Sequence, residues 1–124
     1  MFKGFVISES LKDPLILNDF KTTFRVVERH EESKEFPFWY LFKIEMEDGD
    51  IEKSMKMICD SLKYGWYAHF WNESIVYICF QEKFFQIPRE EGNSWKSDEF
   101  KAVVEYGAKN GIDPMYFEDF WIED

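Results

Sequence analysis

Residues 38–46 read Phe38-Trp39-Tyr40-Leu41-Phe42-Lys43-Ile44-Glu45-Met46, and this stretch decides the fold. Phe38, Tyr40, Phe42, Ile44 and Met46 fall on one side of an extended chain. Trp39, Leu41, Lys43 and Glu45 fall on the other. Period-two alternation with the charges confined to one side predicts a half-buried strand. Asp48-Gly49-Asp50 then turns the chain, and Asp50 stands where a helix N-cap belongs, with Glu52 in the first turn. Ile51, Met55, Ile58 and Leu62 recur at helical spacing, so the next element is a core-facing helix, with Gly65 placed to end it.

Beyond the helix, 66–71 and 75–80 read as two strands joined by Asn72-Glu73-Ser74. A loop follows over 88–96. Ser97 is the expected cap of a second helix, whose apolar stripe is Phe100, Val103, Val104 and Ala108 and whose stop is Gly111. Asp113-Pro114 predicts one more short helix, with an edge strand over Phe120-Trp121-Ile122 as the alternative.

Upstream, Phe5-Val6-Ile7 reads as a short strand. Residues 11–20 form a loop anchored by Leu15-Ile16-Leu17, and 22–30 is a second strand with Phe24 and Val26 opposite Arg25 and Val27. The pattern strand, helix, strand, strand, helix predicts a single α+β domain over 1–124. Its form is a ferredoxin-like two-layer sandwich: an antiparallel sheet, two helices on one face, and the N-terminal strands as extensions.

Composition narrows the functional classes. Aromatic residues make up 20% of the chain, including 14 Phe, which excludes disorder. The formal net charge is −10, so phosphate backbones and anionic lipid surfaces repel the chain. Neither a nucleic acid nor a membrane is an expected partner. Cys59 and Cys79 form no CxxC pair and read as buried thiols in a reducing compartment. The N-terminus has no signal-peptide core and no apolar run has membrane-spanning length, so the expected location is the cytoplasm.

A two-layer fold leaves one sheet face bare, and the side chains there are the candidate site. Glu73 is a poor residue for a two-residue hairpin turn, which favours a three-residue loop with His69 opposite Tyr77. The open face then carries Trp39, Tyr67, His69, Trp71 and Tyr77 as ligand-binding residues. Three readings follow: cover by another part of the chain, a homodimer or protein partner, or a small molecule walled by aromatics and anchored by His69 or Glu45. The expected function is that of a non-catalytic binding or self-associating module.

Catalysis has little support in the motifs. His30 and His69 lie in no metal-ligand spacing, and no GxSxG, P-loop or GxGxxG occurs, so no cofactor or metal is expected. The enzyme alternative uses His69 with an acidic partner such as Glu45, beside Cys79. A third alternative is an acidic inhibitor that imitates nucleic acid through Glu31, Glu32, Glu35, Asp48, Asp50, Glu90, Glu91, Glu118, Asp119, Glu123 and Asp124.

Overall fold

The alternating stretch forms strand β3 (Phe38–Met46), and the computed structural model builds a six-stranded sheet around it. Every residue is described except Ser94, Asp119 and Asp124 and the side chain of Asn93. The expected acidic-surface residues Asp119 and Asp124 therefore lie outside the described residues. The other strands are β1 (Phe2–Ile7), β2 (Lys21–Arg29), β4 (Ala68–Trp71), β5 (Ile75–Cys79) and β6 (Phe84–Pro88). The helices are α1 (Ile51–Ser61), α2 (Asp98–Lys109) and the single turn α3 (Met115–Glu118). Asp113-Pro114 thus starts a short helix, as its residue types predict.

Every neighbouring pair is antiparallel, in the order β2-β3-β1-β4-β5-β6. The sequence predicts N-terminal strands that merely extend the sheet. Only β2 does so. Strand β1 is inserted at the centre, between β3 and β4, with Phe5 facing both Lys43 and His69. The reason is in its composition: Phe5-Val6-Ile7 is apolar at every position, and a strand apolar on both sides gains most from a central place. Gly4 makes that place possible. A Cβ there would collide with the Phe70 ring, which crosses the backbone of β1.

A second correction concerns the layers. Phe2 and Val6 of β1, Ile44 and Met46 of β3, and Phe70 of β4 share a core with Ile51, Met55 and Ile58 of α1. Phe5, Trp71, Val76, Ile78 and Ile87, from the opposite face of the sheet, share a core with Phe100 and Val103 of α2 and with Phe117, Phe120 and Ile122. The two helices therefore lie on opposite faces, and the arrangement has three layers instead of two. Strands that are apolar on both sides need cover on both sides, and one helical layer cannot supply it. What remains of the expected topology is the crossover β3-α1-β4, whose two strands run parallel to each other with β1 between them.

The end signals of the second helix hold, while in its expected stripe Ala108 is exposed and Gly107 takes the buried place. The Ser97 hydroxyl accepts from the Phe100 N–H at 3.1 Å. At the other end Gly111 adopts φ +84°, the Ile112 N–H reaches the Gly107 carbonyl at 2.9 Å, and the Gly111 N–H reaches that of Ala108 at 3.4 Å. This pair of bonds closes a helix around a left-handed glycine. At α1 the agreement is partial. Asp50 holds the N-cap place without a side-chain bond, and the helix stops at Ser61, ahead of Gly65. Strand β6 is absent from the sequence reading. It pairs with β5 along its length and ends in Pro88, which costs the sheet nothing at an outer edge.

Candidate functional site

Strand β4 sets the geometry of the face expected to be open. Its register places His69 opposite Ile78 and Phe70 opposite Tyr77. The hairpin is tighter than expected because Asn72 stabilises it. Its Oδ1 accepts from the Ser74 and Ile75 N–H groups, each at 2.9 Å, and its own N–H donates to the Ile75 carbonyl at 3.1 Å. An Asx side chain that satisfies the turn replaces the glycine such a turn otherwise favours. Tyr77 consequently leaves the candidate site. It faces α1, with its ring 5.8 Å from that of Phe2.

Trp39, Tyr67, His69 and Trp71 do share one face, but that face is closed. The C-terminal segment lies across it, held by side chains from alternate positions around β4. The Tyr67 hydroxyl donates to the Tyr116 carbonyl at 2.7 Å, and the Trp71 indole N–H donates to the Glu123 carbonyl at 2.9 Å. Between them, His69 Nε2 lies 3.0 Å from the Trp121 carbonyl, which fixes the proton on that nitrogen. Lys43, itself buried, meets the Glu123 carboxylate at 2.7 Å. Rings fill the space between: Phe117 stacks on Tyr67 at 4.5 Å, Phe120 lies 4.4 Å from His69, and Trp121 lies 4.8 Å from Phe5. Trp39 sits at the far end beneath His30, ring on ring at 3.5 Å, and donates to the Phe36 carbonyl at 2.9 Å.

Burial pushes the His69 pKa down to about 4, while the carbonyl of Trp121 acts in the other direction. A buried, neutral imidazole whose Nε2 is committed to a backbone carbonyl is not poised for proton transfer to solvent. Nor do the proposed enzymic partners come together. Glu45 pairs with Lys21 at 3.2 Å, and Cys79 points to the opposite face. There the neighbouring Cys79 thiol holds the Cys59 pKa below its ordinary value, and burial raises the Cys79 pKa well above its own. Among the described residues, no group of three or more His, Cys, Asp or Glu could hold a metal ion.

The acidic residues are in part engaged within the chain. Glu31 meets Arg29 at 3.2 Å, Asp48 meets the N-terminal amine, and Glu32 and Glu28 flank the His30 ring at 3.3 and 3.2 Å. Glu90 accepts from the Lys96 N–H at 2.9 Å and the Ser97 hydroxyl at 3.0 Å. An open groove of about 740 Å³ runs between the N-terminal residues and the Glu90 turn, lined by Lys3, Asn72, Glu73 and Arg89 among others.

A different surface stands out, one the sequence reading passed over. Strand β2 occupies the edge of the sheet, and seven of its nine residues are exposed. Phe24 is 46% exposed and Val27 53%, and on the neighbouring strand Phe38 is 50% and Tyr40 49% exposed. Val27 lies opposite Tyr40, and Arg29 opposite Phe38, on the face that α1 covers further along the sheet. Because β1 ends opposite Leu41, β2 and β3 run on past it as a two-stranded ribbon. The ribbon carries Arg25, Glu28 and Arg29 between its apolar side chains. The available sequence signal was the alternation in 21–29, which marks a strand without saying that it would form an edge.

No family model, no curated protein and no solved structure matches the chain. Among the described residues no helix is long and apolar enough to cross a membrane.

Proposed function

We propose that this chain is a protein-binding module that docks through the β2–β3 ribbon. The aromatic face, where the sequence places the binding site, is occupied by the chain's own C-terminal segment. One observation carries the proposal: a nine-residue strand, seven residues exposed, lies at a sheet edge with large apolar side chains on it and beside it. A strand edge presents a row of backbone donors and acceptors ready to pair with another extended chain. Folds guard such edges by shortening, bending or charging them. Here the edge is long, and its one irregularity is a bulge between Thr22 and Phe24, near the start. Arg25 and Arg29 do guard it, because an arbitrary strand would have to bury them against its own residues. They restrict the partner to one whose side chains suit them.

The test is a photo-activated cross-linking residue in place of Val27, with Lys101 on the exposed side of α2 as the control position, in the cells that make the protein. The proposal requires cross-links to identifiable protein at position 27 that are missing at position 101. Equal yields at the two positions would overturn it.

A further inference from the structure

The β2 edge also indicates which partner it fits. We infer that a second copy of this chain pairs antiparallel along β2, across a two-fold axis through Val26, so that two sheets become one. The inference rests on the docking role of the ribbon and adds to it the identity of the partner.

A strand that pairs with its own copy about a two-fold axis normal to the sheet has one residue facing itself, and the other pairs follow from that choice. Like charges directly opposite one another destabilise such a pair, so the charges on β2 select among the registers. With Arg25 on the axis, Arg25 faces Arg25 and Lys21 faces Arg29. With Val27 on the axis, Arg25 faces Arg29 twice. With Glu28 on the axis, the carboxylate faces itself. With Phe24 on the axis, the bulge between Thr22 and Phe24 falls in the middle of the pairing. Val26 on the axis avoids all of these. Arg25 then faces Val27, Phe24 faces Glu28, and the pairing uses the regular part of the strand beyond the bulge.

The net charge of −10 opposes any self-association. At physiological ionic strength the Debye length is about 8 Å, so the charges that count are those along the edge itself. There Lys21, Arg25 and Arg29 outnumber Glu28, so the strand itself does not share the acidic excess of the whole chain. Edge pairing adds the apolar contacts of Val27, Phe38 and Tyr40 on one face. A contact of this kind lies at or below about 1,200 Å² of buried surface, where association is reversible and dependent on concentration.

The test uses the purified full chain over a concentration series in sedimentation or light scattering. Val27→Arg places an arginine opposite Arg25 at both symmetric pairs and should weaken the dimer about tenfold, although it makes the chain less acidic. Arg25→Glu added to Val27→Arg should restore it, although it makes the chain more acidic. Register is read separately under oxidising conditions. Arg25→Cys mixed with Val27→Cys should cross-link, and neither protein alone should do so. Positions 25 and 27 are exposed, so the fold tolerates these changes. A wild type that stays monomeric to its solubility limit, a dimer indifferent to Val27→Arg, or cross-linking by Val27→Cys alone would each overturn the inference. In the first case cross-links from position 27 to some other protein in cells would leave the docking role standing, whereas none above the control would remove both.

Discussion

At the scale of single residues, His69 shows how burial can change what a titratable side chain contributes. Its pKa is about 4 in the folded chain and about 6.5 when unfolded, so between those values the unfolded chain binds the extra proton. The neutral, hydrogen-bonded imidazole therefore contributes its stability fully above pH 6.5. That contribution falls away as the pH drops from 6.5 towards 4, and is gone below. The difference amounts to about 3 kcal/mol. His69→Gln keeps a donor for the Trp121 carbonyl and does not titrate. It should lower the melting temperature at neutral pH, and the gap to wild type should close or reverse as the pH falls through this window. Carboxylates elsewhere titrate in both proteins and cancel in the comparison. A gap that stays constant from pH 7 to pH 4 would mean that His69 is not buried as described.

At the scale of elements, the C-terminal segment acts as the lid of the sheet. It brings Phe117, Phe120 and Ile122 into the second core and supplies carbonyls at 116, 121 and 123 to three donors around β4. Each fully buried large side chain is worth about 1.5–3 kcal/mol, so these three together contribute about 4.5–9 kcal/mol. Total stability of an ordinary domain is about 5–15 kcal/mol. Deleting residues from Asp113 onward should therefore leave a chain that binds a hydrophobic dye, aggregates and melts far below wild type. A truncated protein with wild-type melting and no dye binding would show that the segment is an ornament on a sheet closed by other means. This element was half legible. Asp113-Pro114 announced the short helix, but nothing local to 120–123 said which surface it would cover.

At the scale of the whole molecule, an acidic chain carries a ribbon of contrary charge at its sheet edge. Repulsion between the copies and pairing of their backbones respond differently to salt. Repulsion between copies of net charge −10 reaches about 30 Å at 0.01 M salt and about 8 Å at 0.15 M, whereas backbone pairing is insensitive to ionic strength. Self-association through β2 should accordingly tighten as salt is raised over that range. Loosening with salt would mean that opposite charges, and not an extended sheet, hold the copies together.

Sequence alone determined the pieces whose information is local. The alternation of 38–46 specifies a strand, the spacing of Ile51, Met55 and Ile58 a helix with an inner stripe, and Ser97 with Gly111 the two ends of α2. Tertiary structure decided how the pieces meet. Strand β1 is apolar on both sides and could have gone to an edge or to the centre; only the competition for burial places it between β3 and β4. Val76 and Ile78 look as fit for a core as Ile75 and Cys79, so composition could not say which side α2 would take. The hairpin phase turned on the Asn72 side chain accepting two backbone N–H groups, and that one choice moved Tyr77 to the opposite face from His69. Alternation along a strand tells its two sides apart. It does not say what will lie against each, because that is settled by long-range contacts whose energies are shared among residues far apart in the chain.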